Sequence, residues 1–193
     1  LFISDCHLGN DFCNHYKLLD LLKHIEADNI FIIGDFFDGW SLKRKFKWHN
    51  NYNTIIQKLL RMSRKGSEIY IIYGNHDDFL ESFNEYSFGN IHIKRSHIYS
   101  SINNGDLLLI HGDQFDGLIS KHKFLVKLGS VIYDYSIALN YSLRFLKFSF
   151  SHFLKRKAKE AINYINNYEQ LVSDYTRLNN CKGVVTGHIH YPN

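Results

Sequence analysis

Short apolar runs alternate with amphipathic stretches through the first half of the chain. Apolar runs at 1–4, 29–33 and 68–73 each end at a polar residue or a glycine, which is typical of buried strands. Between them, 15–26 and 52–65 carry apolar residues at helical spacing. Strands that alternate with helices predict an α/β fold with a largely parallel sheet.

The pattern changes in the second half of the chain. Further strands are expected at 91–93, 107–110 and 183–186, whereas residues from about 115 to 178 show almost only helical spacing. We therefore expect one domain, 1–193, in which a helical insertion at about 115–178 interrupts an α/β core. The chain begins inside an apolar run without Met and stops three residues after His190, so we expect both termini to be truncated.

Composition narrows the classes of protein that fit. With 45% hydrophobic residues among 193, the chain can bury a core, which excludes intrinsic disorder. Three cysteines without a C-x-x-C pair argue against a disulfide framework and favour a reducing compartment. No apolar run reaches the roughly 18 residues of a membrane-spanning helix. The net charge of +4 suits an anionic partner, and twelve histidines direct attention to metal ligands.

Polar side chains follow almost every predicted strand at its carboxyl end. The residues concerned are Asp5, His7, Asp35, Asn75, His76, Asp77, His111, Asp113, His188 and His190. The carboxyl ends of parallel strands meet at one edge of an open α/β sheet, where ligands bind. Asp5 and His7 are two residues apart, as are His188 and His190, so an extended backbone would point each pair to one side.

Asp, Asn and His side chains offer oxygen and imidazole donors and no thiolate. Such a set suits Mn²⁺, Fe²⁺ or Zn²⁺ better than a structural cysteine-bound zinc site. Seven candidate ligands are too many for one tetrahedral ion, namely Asp5, His7, Asp35, Asn75, His111, His188 and His190. Two ions about 3.5–4 Å apart that share one carboxylate would use them all. We expect two divalent ions, with Mn²⁺ as the first candidate and Fe²⁺ or Zn²⁺ as alternatives.

The motifs occur in the order D-x-H, G-D, G-N-H-D, H-G-D and G-H-x-H. This series resembles the calcineurin-like metallophosphoesterases over essentially the whole chain. The longer segments at 4–9, 34–40, 74–80 and 111–116 are similar to the branch related to UDP-2,3-diacylglucosamine diphosphatases of lipid A synthesis. The resemblance implies a layered sheet sandwich flanked by helices, with the insertion forming a helical cap.

The resemblance also implies a role for each residue of the motifs. One ion would be held by Asp5, His7, Asp35 and His190, and the other by Asp35, Asn75, His111 and His188. A hydroxide bridging the ions would attack phosphorus and cleave UDP-2,3-diacylglucosamine to UMP and 2,3-diacylglucosamine 1-phosphate. His76, where the lipid A hydrolases often have Arg, would stabilise the developing charge or protonate the leaving group. Asp77 would orient His76 or a ligand, or else it caps a turn.

Substrate contacts are assigned to Trp40, Arg44, Asp113, Lys155 and Lys157. The basic clusters at 43–47 and 155–159 are either solvated faces or surfaces that meet the phosphates of a nucleotide sugar or of anionic lipids. The apolar side chains of the insertion either pack as ordinary core or line a groove for acyl chains. We expect a nucleotide-linked glycolipid substrate, contact with a membrane surface, no nucleic-acid partner, and a cytoplasmic location on the inner face of the membrane.

Two other functions stay open. A phosphodiesterase or phosphatase of broader specificity, acting on nucleotides or nucleic acid, would use the same metal site. A scaffold with a decayed enzyme fold is disfavoured, because the ligand set is complete.

Overall fold

The computed structural model describes residues 1–119, 165 and 167–190. The chain divides into two compact units, Leu1–Asp113 with Tyr175–Asn193, and Gln114–Asp174. Most of the expected insertion at 115–178 lies outside the described residues, so its helical cap and the single domain over 1–193 stay predictions.

The larger unit contains a four-stranded parallel sheet. Its strands, in spatial order, are β1 (Phe2–Ile3), β2 (Asn29–Ile33), β3 (Glu68–Ile72) and β4 (Ile91–Lys94). Connections between these strands carry α1 (His15–His24), α2 (Gly39–Arg44), α3 (Asn50–Arg64) and a 3₁₀ helix (Asp78–Phe83). The three strands and two helices expected from the first half are all present, with ends that differ from the prediction by at most two residues. The short helix α2 was not expected.

A second sheet has three strands, β5 (Ser96–Ser101), β6 (Gly105–Ile110) and β7 (Gly183–Val185). The strands β5 and β6 are antiparallel, whereas β6 and β7 are parallel. The strand β5 escaped prediction because its sequence, S-H-I-Y-S-S, has no continuous apolar run and alternates between exposed and half-buried positions. The strands thus form two sheets, one parallel and one mixed.

Both faces of the parallel sheet are covered, and β2 shows how. Ile30 and Ile32 of this strand belong to the cluster formed with α1 and α3, which includes Leu19, Leu22, Ile55 and Leu59. Phe31 and Ile33 point to the opposite face, because side chains alternate along a strand, and pack with Ile72 and Leu109. The layers are therefore helices, parallel sheet and second sheet, which confirms the predicted α/β sandwich flanked by helices.

The smaller unit is described only in part. Helix α4 (Asp116–Ile119) and residues 167–174 are helical. The rings of Phe115 and Tyr168 contact each other edge to face, with centroids 5.9 Å apart. Within the described part of the chain, no helix has the length and apolar character needed to cross a membrane.

Candidate metal centre

The loops that follow β1 and β2 are tied together at the carboxyl edge of the parallel sheet. The backbone N–H of Asp5 donates to the carbonyl of Gly34 over 3.1 Å, and that of His7 donates to the carbonyl of Asp35 over 2.8 Å. His111 follows β6 directly and reaches the same edge, where its Nδ1 donates to the carbonyl of Ile33 at the end of β2. The two sheets thus deliver polar side chains to one place.

Asp5, His7 and His190 form a first group of metal-ligand atoms, all within 4.8 Å of one another. The Nε2 atom of His190 lies 3.3 Å from Oδ1 of Asp5 and 3.3 Å from Nε2 of His7. Asp5 also accepts a hydrogen bond of 3.0 Å from the backbone N–H of His188, so its carboxylate is held in place.

Asp35, His111 and His188 form a second group that meets the same distance criterion. Nε2 of His111 lies 3.2 Å from Oδ2 of Asp35, and Nε2 of His7 lies 3.8 Å from that same oxygen. Asp35 therefore stands between the two groups, where a carboxylate shared by two ions has to stand. The predicted assignment of ligands to two ions has the same grouping and stays a prediction.

Two buried atoms in these groups fit a cation better than they fit their present surroundings. Oδ1 of Asn75 is buried without a hydrogen-bond partner in the described residues, and the buried Nε2 of His111 faces Oδ2 of Asp35 over 3.2 Å without forming a well-aligned hydrogen bond. Since Nδ1 of His111 donates to Ile33, the neutral ring keeps its lone pair on Nε2, as a metal-bound imidazole requires. A buried polar atom without a partner is costly, and a divalent ion would satisfy both. The residues present therefore fit divalent cations.

The backbone at the candidate ligands is turned rather than extended. Asp5, His7, Asp35, His188 and His190 have φ values of 51°, 50°, 50°, 72° and 51°, in the left-handed region that non-glycine residues rarely adopt. The expectation that extended backbone would align Asp5 with His7 and His188 with His190 is wrong. The side chains converge because the chain turns sharply after each strand, and such strain is typical of functional sites.

Gly74 and Gly187 leave room for the side chains that converge. A Cβ atom on Gly74 would overlap Oδ1 of Asp35 and the ring of His111, and one on Gly187 would overlap Oδ2 of Asp5. These two positions need glycine for close approach rather than for a left-handed φ, because neither has a positive φ.

Electrostatics at the centre favour bound positive charge. Burial alone would raise the pKa of Asp5, but contacts with His190, His111 and Ser4 bring it to about 2. Burial alone would lower the pKa of His111, yet the adjacent carboxylates of Asp35 and Asp5 raise it. The hydrogen bond and charge of Asp5 also raise the pKa of His190. The carboxylates of Asp5 and Asp35 therefore stay ionised. They favour protons on the neighbouring histidines, or metal cations bound in place of those protons.

His76 lies beside the first group and is held by a carboxylate that the sequence analysis did not single out. Its Nδ1 lies 3.1 Å from Oδ1 of Asp38, which is 1% exposed. Asp38 also caps α2 by accepting from the N–H of Ser41 over 2.7 Å, and it accepts from the side chain of Asn10 over 2.7 Å. Two signals could have revealed Asp38: it follows Asp35 by three residues, and it immediately precedes a helix.

Asp77 is fully buried and its oxygens are used by the backbone. It accepts from the N–H groups of Gly74, Phe36 and Phe37, over 2.6, 2.8 and 3.4 Å. These bonds join the loop after β3 to the loop after β2. The contacts match the turn-capping alternative, and the part of Asp77 in catalysis stays a prediction.

The candidate substrate contacts differ in position. The ring of Trp40 lies 4.1 Å from that of His76, and 48% of the residue is exposed. Arg44 is exposed in the last turn of α2. Both oxygens of Asp113 lie within 3.0 Å of Nη2 of Arg95, a partner that sequence reasoning missed. Lys155 and Lys157 lie outside the described residues.

Residues 1–192 match the calcineurin-like phosphoesterase family. The chain belongs to the calcineurin-like phosphoesterases. Membership of this family implies divalent metal ions as cofactors and phosphoesters as the bonds that are hydrolysed, in agreement with the two groups of donors at the sheet edge.

Curated relatives share part of their length with this phosphoesterase. It is similar to the UDP-2,3-diacylglucosamine hydrolase of Porphyromonas gingivalis, with 27% identity over 58% of this chain and 45% of that protein. The enzymes of the same name from Coxiella burnetii and Histophilus somni are 30% and 32% identical, over 64% and 39% of this chain. The matched region spans 50% of the Coxiella protein and 33% of the Histophilus protein, so the match covers half of each relative or less.

The solved structure of Pseudomonas putida nuclease MPE also matches. It is 18% identical, and the match covers 48% of this chain and 45% of the nuclease with a TM-score of 0.29.

Proposed function

We propose that the protein hydrolyses the pyrophosphate bond of UDP-2,3-diacylglucosamine, or of a closely related nucleotide-linked glycolipid. The observation that carries the proposal is the pair of ligand groups that meet at Asp35. The names of the curated relatives support the choice of substrate. The contact with a membrane surface and the cytoplasmic location expected from the sequence stay part of this proposal.

Asp5, His7, Asp35 and His190 would hold one divalent ion, and Asp35, Asn75, His111 and His188 the other. When bound, the ions supply Lewis acidity, which lowers the pKa of water and neutralises charge on the phosphoryl oxygens. The chain holds the carboxylates ready for this task, since Asp5 keeps a pKa of about 2 and the backbone N–H groups of His188 and His76 fix Asp5 and Asp35.

His76 is the residue proposed to handle the proton of the leaving group. Asp38 faces Nδ1 of its ring at 3.1 Å, so the other ring nitrogen is the one left to donate to the departing oxygen. Trp40 packs on the same ring and limits its rotation. Asp38 would thus act as a positioning residue, because it works through the orientation of His76.

A product assay tests the proposal directly. The metal-free protein is incubated with UDP-2,3-diacylglucosamine and with Mn²⁺, Fe²⁺ or Zn²⁺ in turn, and UMP is measured. We expect UMP with at least one ion and none after chelation. The variant Asp35→Asn removes one carboxylate charge from the site. As a matched control, Asp20→Asn removes the same charge at an exposed position away from the site.

The assay also separates the alternative function. Turnover of bis-p-nitrophenyl phosphate or a nucleotide, with no UMP from the glycolipid at any metal concentration, would assign the site to a phosphodiesterase of broader specificity. Absence of stoichiometric metal binding would instead favour the hypothesis of a non-catalytic scaffold.

A further inference from the structure

A cavity lies at the edge of the parallel sheet opposite the metal centre. It has a volume of about 440 Å³ and is bordered by the connections from α1 to β2 and from α3 to β3. These connections enter the amino ends of the strands, whereas Asp35 and Asn75 follow the carboxyl ends. The cavity is therefore separate from the ligand groups described above.

A backbone hydrogen bond and packing against the core fix the walls of this cavity. The backbone N–H of Glu68 donates to the carbonyl of Asp28 over 2.7 Å and joins the two connections. Met62, which is among the lining residues, is 7% exposed and belongs to the core packed under α1 and α3. A volume of this size is in the usual range for small-molecule sites.

The charged lining of the cavity carries a surplus of positive charge. Lys23, Lys58, Arg61 and Lys65 contribute four cations, and Glu26 and Asp28 contribute two carboxylates, which leaves two positive charges in excess. In the part of the chain that the structure describes, none of these six side chains forms an ion pair or hydrogen bond with another side chain. Lys23, Arg61 and Lys65 are exposed, so their charges are available to an anion that enters the cavity.

The carbonyls at the end of α3 form hydrogen bonds without the help of these cations. Basic residues often occupy a last helical turn because free carbonyls there attract them. Here the carbonyls of Arg61, Met62 and Ser63 already accept hydrogen bonds from the backbone N–H groups of residues 65–67. The carbonyl of Leu21 in α1 accepts from the N–H of Ile25. The carbonyls at the end of α3 therefore do not require Arg61 or Lys65 as caps.

We propose that this cavity binds a phosphate-bearing anion. An Arg guanidinium can hold a phosphate with two parallel hydrogen bonds, and Lys ammonium groups add point charges around it. The same chemistry is offered by a free polyphosphate and by a phospholipid headgroup. The site does not depend on the hydrolase activity proposed above, since it lies at the other end of the strands and shares no residue with the metal centre.

The test compares two variants that lose the same charges from the same helices. Lys23→Ala/Arg61→Ala removes one Lys of α1 and one Arg of α3 from the cavity. Lys17→Ala/Arg64→Ala removes one exposed Lys of α1 and one exposed Arg of α3 that do not line it. Binding of inorganic pyrophosphate to the metal-free protein is measured by calorimetry at low and high salt. Binding to vesicles is measured with and without phosphatidylglycerol.

We expect saturable binding that weakens as salt is raised. Lys23→Ala/Arg61→Ala should weaken it at least about tenfold, because each charge-assisted hydrogen bond contributes that much or more. The control variant should bind as the wild type does.

Pyrophosphate binding identifies a free anion as the source, and binding only to phosphatidylglycerol vesicles identifies a headgroup. Binding of neither probe, or equal weakening in both folded variants, overturns the proposal. Circular dichroism melting shows that each variant is folded.

Discussion

The two edges of the parallel sheet are built in opposite ways. At the carboxyl edge, five of the predicted ligands have left-handed backbone, and the carboxylates of Asp35, Asp38 and Asp77 are at most 2% exposed. At the amino edge, the left-handed positions that precede β3 and β4 are the glycines Gly66 and Gly89, and most charged side chains are exposed. Strain and buried charge are therefore concentrated where ligands converge. Changes at the carboxyl edge should affect both function and stability, while changes at the amino edge should be mild.

The largest effect should come from Asp35, the carboxylate that stands between the two ligand groups. Asp35→Asn keeps the shape but removes the charge, so we expect metal stoichiometry to fall and phosphoester hydrolysis to drop by about 10³-fold or more. Elemental analysis of dialysed protein and initial rates measure the two effects. Asp20→Asn, exposed on α1, should retain both. Wild-type rates in a folded Asp35→Asn variant would remove Asp35 from the proposed centre.

The next effect should separate His76 from Asp38. His76→Ala removes the proposed proton donor, and we expect kcat to fall by about 10²-fold or more. Asp38→Asn retains His76 but removes the carboxylate that orients it, so kcat should fall by roughly tenfold while KM stays near the wild-type value. An unchanged kcat, or a fall in kcat matched by a loss of folded protein in circular dichroism, would make Asp38 a structural residue only.

Much of this architecture could be predicted because strands and amphipathic helices have periodic signatures. Asn29–Ile33 was predicted to the residue, since four buried strand positions after Asn29 form an uninterrupted apolar run before a glycine. The strand Ser96–Ser101 lacks such a run, and its pairing with β6 depends on tertiary context. The candidate ligands could be placed at one edge because parallel strands bring their carboxyl ends together.

The local geometry of the centre could not be predicted in the same way. The left-handed φ values of Asp5 and His7 depend on hydrogen bonds to the loop after β2, which belongs to a distant part of the sequence. The pairing of Asp38 with His76 and of Asp113 with Arg95 also joins distant segments. Sequence spacing identifies which residue types are near a strand end, but it does not identify their partners.

Two glycines test the difference between the edges. Alanine at Gly74 would overlap Asp35 and His111, so Gly74→Ala should lower the free energy of unfolding by about 2–3 kcal/mol and abolish hydrolysis. Alanine at Gly66 meets no atom within 4 Å and costs only backbone strain at its φ of 110°, about 1 kcal/mol, with kcat unchanged. Denaturant unfolding and initial rates distinguish them. Equal costs at both positions would contradict the contrast between the edges.

The smallest effect concerns acid stability. Burial alone would raise the pKa of Asp38, but contacts with Asn10, Ser41 and His76 bring it to about 2, below the ordinary 3.8. A carboxyl with a lowered pKa stabilises the fold above pH 4 or so, and that contribution is lost as pH falls toward 2. Asp38→Asn should therefore lower the free energy of unfolding of the metal-free protein by about 1–3 kcal/mol at pH 7. It should also flatten the pH dependence of the free energy of unfolding between about pH 4 and pH 2, as measured by denaturant unfolding.

Asp20→Asn serves as the control, because its carboxylate is 75% exposed. If Asp38→Asn and wild type lose stability in parallel over that pH range, the buried charge of Asp38 contributes nothing to holding the carboxyl edge together.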